Sequence, residues 1–177
     1  MMASLVTQTD LSKYRSIAES VKNNSLWEQS VLEAQLLDIK IWLGDELLNE
    51  LDEQISASPS ELTDDNNLLL NGGKYIYQTR TYLFQGLKAV IIYYAFSRFI
   101  SRSSYNFTQA GVTIKDTDFS TPATDKAIQR LSTEAMLTAS SLKDEVILYL
   151  RRNSTKYPLF RCNNDNGRPR TFYVIGD

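Results

Sequence analysis

Twenty-one Asp and Glu side chains supply most of the reactive groups in this 177-residue chain, and no histidine accompanies them. Without an imidazole, Ser-His-Asp and Cys-His nucleophile arrangements are excluded, and the commonest metal ligand is missing. Cys162 is the single cysteine, so one copy can form neither an internal disulfide nor a cysteine-built zinc or iron–sulfur site. Paired acids remain. Asp64-Asp65, Asp116/Asp118 and Asp144-Glu145 offer the oxygen ligands that a divalent cation takes. Each pair falls on an expected helix surface or turn, where solvated acids are the rule, and we assign no metal to them. Asn71-Gly72-Gly73-Lys74 lacks the spacing and the preceding strand of a phosphate loop, and reads as a helix stop. We therefore expect no catalytic, cofactor-binding or metal-binding residue, and no enzyme.

The other chemistry-bearing group is basic and aromatic. Arg151, Arg152, Lys156, Arg161, Arg168 and Arg170 alternate with Tyr157, Phe160, Phe172 and Tyr173 near the C-terminus. Such a mixture suits a nucleic-acid surface, but arginine and tyrosine are equally the residues of protein–protein hot spots. A net charge of −2 provides no overall field toward nucleic acid or anionic membranes, which favours protein docking. The near-zero total hides a slope: residues 1–65 hold four basic against thirteen acidic side chains, and residues 151–177 hold six against two. An acidic front and basic back are either ordinary solvated surfaces or complementary faces for neighbouring copies.

The elements that would position these residues are mostly helical. Apolar residues at 42% and aromatics at 11% fit an ordered fold rather than a disordered chain. Asp10 is placed to cap a short helix, and Ser25-Leu26-Trp27-Glu28 is a capping-box pattern opening the next. In that helix Trp27, Val31 and Ala34 mark one face, and Leu32, Leu36, Ile39 and Leu43 a second, a width that implies burial on more than one side. Gly44 closes it, and Asp45-Glu46 suit the positive start of another helix reaching about Ile55. The stretch Ser58-Pro59-Ser60-Glu61 predicts a short helix to about Leu70.

A long helix is expected from about Arg80 to Arg102. Its middle, Ala89 to Phe96, is far shorter than the roughly 20 apolar residues of a membrane span. Leu83, Leu87, Val90, Ile91 and Tyr94 form the core stripe. Tyr93, Phe96 and Phe99 spill beyond it, to be covered either by the subunit's own helices or by a neighbour, and they are candidate interface residues. Residues 103–120 mix β-branched and charged types and read as a short strand or extended loop. From Thr121-Pro122 a last helix runs to about Asn153, on the order of 45 Å. Beyond Tyr157-Pro158 an arm follows, with a hairpin expected from Asn163 onward. We thus expect a mainly α helical bundle over 1–153, with a β-prone excursion, and a C-terminal arm over 154–177. The opening MMASLVTQTD lacks the basic-then-apolar order of a secretory leader, so none is expected.

AQLLDIKIWLGDELLNEL, LLLNGG, GLKAVIIYYAFSRF, FTQAGVTIK and YLRRNSTKYPLF occur in that order. The series resembles the head–tail connector, or neck adaptor, proteins of tailed bacteriophages, especially phages of gut bacteria. The likeness spans about Leu26 to Phe160. It rests on Leu43-Gly44, Asn71-Gly72, Gly86-Leu87-Lys88, Tyr94, Arg98, Gly111-Val112 and Tyr157-Pro158. The N-terminal residues and the segment after Arg161 match no part of the pattern. The resemblance implies a helical body with extended loops or arms, and assembly in the virion neck as a ring, commonly a dodecamer, beneath the portal protein. Such a ring, built in the host cytoplasm, contacts an adjacent neck or tail protein and surrounds genomic DNA without reading its sequence. Two alternatives remain: another tail-completion or stopper protein, or a helical nucleic-acid-binding module using the basic arm. No cofactor and no membrane are expected.

Overall fold

The computed structural model describes residues 4–14, 25–57, 62–103, 105–108, 111–114 and 124–160. Its chain order is α1 (Gln8–Tyr14), α2 (Ser25–Glu33), a π-helical segment (Ala34–Ile39), α3 (Lys40–Leu43), α4 (Asp45–Ala57), α5 (Asp64–Asn71), β1 (Gly73–Tyr77), β2 (Arg80–Phe84), α6 (Leu87–Ser103), β3 (Tyr105–Thr108), β4 (Gly111–Ile114) and α7 (Asp125–Arg152). The fold is mainly α, as the sequence leads one to expect.

Helix α6 is the axis of the domain. Leu87, Ala89, Val90, Ile91, Ile92 and Ala95 are sealed from solvent, because helices cover α6 on opposite sides. On one side α7 runs antiparallel to it, with Tyr94 beside Ser140 and Ser97 beside Ser132. Every third or fourth residue of α7 faces inward: Ala135, Ala139, Leu142, Val146 and Tyr149. On the other side α2 and the π segment are also antiparallel to α6, pinned by Arg102 to Glu33 and Arg98 to Asp38.

The π segment is the first departure from sequence expectation. Its wider turn admits an extra residue, so Ile39 and Leu43 face the core while Leu36 and Leu37 swing outward. The same turn buries Gln35, whose Oε1 accepts the Leu5 N–H at 2.9 Å and holds the N-terminal segment down. Thr7 also revises the first cap. Its hydroxyl accepts the Asp10 N–H while the Asp10 carboxylate accepts the Thr7 N–H, a reciprocal box with Asp10 as the third helical residue rather than the cap.

A hairpin is the second departure. The chain expected to enter the long helix at Arg80 instead forms β1 and β2, paired from Gly73↔Phe84 to Tyr77↔Arg80, and α6 begins only at Leu87. The connection is two residues, Gln78 and Thr79, at φ 47° and 68°. Both central residues therefore take the left-handed geometry that normally recruits Asn-Gly. The base of the hairpin is closed by Gly72 and Gly86, both at positive φ. A Cβ on Gly72 would overlap the backbone of Phe84 and Gln85, and one on Gly86 that of Leu70 to Gly72.

Helix α5 starts behind Thr63, whose hydroxyl accepts the Asn66 N–H, so the helix expected from Ser58 begins later; residues 58–61 lie outside the described ones. The buried Asn66 amide donates to Glu50 and Gln54 and ties α5 to α4. The β-prone excursion forms a second antiparallel hairpin, Tyr105↔Ile114 to Thr108↔Gly111. Helix α7 is capped by Thr124 and ends at Arg152.

Candidate assembly interface

The sequence points to two groups of surface residues, and the structure relocates several. Phe99 is buried within the subunit, edge-on to Trp27 with ring centroids 5.8 Å apart. Tyr93 and Phe96 are half-buried and pack against the same core. Of the aromatics expected to spill over, Phe99 is covered by the subunit itself, whereas Tyr93 and Phe96 keep part of their surface uncovered.

Tyr157 is likewise internal. Its hydroxyl donates to the Asp65 carbonyl at 2.6 Å and lies 2.9 Å from the Tyr149 hydroxyl. Burial, followed by the Tyr149 hydrogen bond, pushes the phenol pKa far up, so it stays protonated. Lys156 pairs with Asp65 at 2.6 Å, and Phe160 packs on the core. The start of the expected arm is thus folded back onto α5. Arg151 is exposed on the last turn of α7. Arg161, Arg168, Arg170, Phe172, Tyr173 and the expected C-terminal hairpin lie outside the described residues.

Arg152 organises a cluster of its own. Its guanidinium stands 4.0 Å from the centre of the Tyr82 ring and 5.0 Å from that of Tyr77, and Nη1 donates to the Tyr75 hydroxyl at 2.9 Å. Tyr75 meets Tyr149 edge-on at 4.9 Å, and Phe84 stacks on Tyr149 at 4.2 Å. This arginine, expected to meet a partner, instead clamps the hairpin to the end of α7 through cation–π contacts.

At the other end of α6 the contacts are ionic. Arg98 grips Asp38 through two bonds of 2.9 and 3.0 Å and approaches Glu33 at 3.6 Å. Arg102 reaches Glu33 at 2.8 Å, and this hydrogen bond holds the Glu33 carboxyl below its usual range against the opposing effect of burial. Beside this network lies a cleft of about 300 Å³ lined by Asp38, Tyr94, Ser97, Arg98, Ser101, Arg102 and Met136. Its arginines are already matched by carboxylates. Among the described residues, no group of three or more His, Cys, Asp or Glu side chains is arranged to hold a metal, and no helix is long and apolar enough to cross a membrane.

Among the described residues, the most exposed large apolar side chains lie elsewhere, on three flanks. Leu36, Leu37 and Ile41 stand out from the π segment and α3. Ile76 and Leu83 occupy the outer face of the hairpin, opposite the tyrosines. On α7, Leu137 and Leu148 face away from α6, and Leu131 and Met136 border the inward stripe. Exposure reaches 76% at Ile41, 74% at Ile76 and 65% at Leu137. Sequence reading missed most of these. Leu37 and Ile41 depend on the π turn, and Ile76 lies in β1, between the expected helix stop at Asn71-Gly72-Gly73 and the long helix expected from about Arg80.

Together these features define a class: a mainly α domain in which one sheathed helix carries an inserted hairpin and leaves apolar side chains on three flanks. The chain belongs to DUF6712, a family of unknown function, whose model matches residues 39–170. Neither a curated protein nor a solved structure matches it.

Proposed function

We propose that this chain is a non-enzymatic structural subunit of the head–tail connector of a tailed phage. In this reading it forms a homo-oligomeric ring between the portal protein and the next neck or tail protein, around the DNA channel of the virion. The observation that carries the reading is the set of large apolar side chains left in solvent by a subunit whose core is already closed. Patches of that kind on a folded domain mark protein contact surfaces, and three separate flanks suit a part with copies on either side and a further partner. The resemblance of its motif order to neck adaptors is what points the reading to this particular assembly.

Contacts in such a ring are heterologous, one face meeting a different face of the next copy. The DNA passes without sequence readout, because tight phosphate binding would impede it. The test is to mix the purified protein with the portal protein of the same phage and image the product by electron microscopy. Ring-shaped density stacked on the portal is expected. A protein that joins neither portal nor tail components, yet binds duplex DNA with steep salt dependence, would replace this reading with that of a nucleic-acid-binding module.

A further inference from the structure

Arg98 and Arg102 are matched by carboxylates, Asp38 and Glu33. Arg152 is not. It is held by two tyrosine rings and the Tyr75 hydroxyl, and among the described residues it has no ion-pair partner. The same is true of Arg80, which is exposed. Arg80 pairs with Tyr77 across the hairpin, so the two side chains are neighbours on the inner face, and the Arg152 guanidinium stands 5.0 Å from the centre of that Tyr77 ring. Two cations thus flank one ring with no acid between them. We propose that Arg80 and Arg152 form a site for phosphate groups of a polynucleotide backbone, one weak contact point per copy. The proposal rests on the connector reading for its occupant, duplex DNA, and adds which residues touch it.

The segments that build this corner, residues 72–84 and 146–160, hold five basic side chains and no acid. Three of the five stand apart from the site. Lys74 is on the opposite face of the hairpin, Lys156 is neutralised by Asp65, and Arg151 lies about 100° around α7 from Arg152. Of the acids on adjoining elements, Asp65 is taken by Lys156, and Asp64 and Glu145 touch neither arginine. A guanidinium has five N–H groups, and the Tyr75 hydroxyl takes one from Arg152. The ring contacts fix its plane without consuming the others. A fork held in this way, and only half-buried, suits phosphate oxygens and has little freedom left to lose on binding. The tyrosine rings are engaged by Arg152 and by one another, so they hold the guanidinium rather than stack on a base, and the contact is to the backbone. Every nucleotide step presents a phosphate, so such a site is engaged at any register. An acidic protein segment would have to bring its carboxylates to one fixed place.

The experiment titrates the full chain into a short fluorescently labelled DNA duplex and reads anisotropy across a salt series. Weak binding is expected, with Kd on the order of 10⁻⁵ M. Arg80→Gln is decisive, because that exposed side chain has no ion pair to lose: it should weaken binding about fivefold and lower the slope of log K against log salt by about 1. Arg152→Lys keeps the charge but not the fork, and should weaken binding at an unchanged slope; hydrogen exchange of β1 and β2 checks that the hairpin is still formed. Lys126→Gln, the same charge change on the first turn of α7, should leave affinity and slope unchanged. A wild-type chain that does not bind the duplex at low salt, or an Arg80→Gln slope equal to that of wild type, overturns the proposal. So does a polyglutamate of matched charge that competes as well as unlabelled duplex, which would reassign the site to an acidic protein segment. The portal experiment separately decides whether the connector reading stands, since ring formation on the portal does not need this contact.

Discussion

The two ends of α6 are held by different physics. At its N-terminal end the hairpin is fastened to α7 by rings: Phe84 on Tyr149, Tyr75 against both, and Arg152 over Tyr82. Toward its C-terminal end an ion-pair network of Arg98, Arg102, Asp38 and Glu33 is added to the Trp27–Phe99 ring contact. The ring–ring contacts remove area from water and respond little to charge screening, with Arg152 adding an electrostatic part. Half-exposed ion pairs fix geometry while adding little net stability. The ring-fastened end can therefore hold a strained hairpin rigid, while the ionic end sets the register of α2 without locking it.

The sharpest way to break this contrast is Tyr149→Ala. Tyr149 is 1% exposed and touches Tyr75, Phe84 and Tyr157. Its truncation should cost about 4 kcal/mol, with little change between low and high salt, as read by urea unfolding. Gly86→Ala acts on the same end through the backbone. A positive φ and an overlap with Gly72 should cost about 3 kcal/mol. Both variants loosen the hairpin first, so hydrogen exchange of β1 and β2 should rise before that of α7.

At the ionic end, Arg98→Ala leaves Asp38, whose side chain is 16% exposed, without its forked partner. A loss of about 2.5 kcal/mol is expected at low salt, reduced from the fully buried case because water reaches the site. Unlike the Tyr149 loss, it should shrink as salt rises. Equal salt responses at the two ends would remove the distinction.

The same contrast explains what the sequence made legible. Apolar spacing alone located α6 and α7, because a sheathed helix must repeat its apolar residues every three or four positions. The ionic end was partly readable: Arg98 stood among the motif residues, but its partner Asp38 is set by a π turn, which has no strong sequence signature. The ring end was misread. Gln78-Thr79 is a turn that propensity disfavours, and the packing of Tyr75 and Phe84 on Tyr149, with Tyr82 stacked on Tyr75, holds it in place, so tertiary contact overrode the local signal. The candidate interface fared similarly. Phe99 is conspicuous in sequence because it is large, yet it is taken up by the core, while Tyr93 and Phe96 stay partly exposed. The exposed Ile41 and Ile76 are inconspicuous singly and become a pattern only when the fold places them.

Asp10 sharpens the comparison, because it is an ionic contact at the ring-fastened end and is far more buried than the Arg98 network. Its side chain is 5% exposed and meets Lys88 at 3.0 Å, joining α1 to the first turn of α6. Burial by itself would raise its carboxyl pKa; the Thr7 hydrogen bonds and Lys88 outweigh burial and lower it from 3.8 to about 2. A depressed folded value means the contribution is complete above the unfolded pKa and is lost as pH falls through the folded one. That difference corresponds to about 2 kcal/mol. Asp10→Asn should therefore cost about that amount at pH 7. The gap from wild type should close between about pH 4 and pH 2 in urea titrations, and salt should barely move it. A gap that salt closes as readily as the Arg98 loss would mean that burial does not shield these charges from screening.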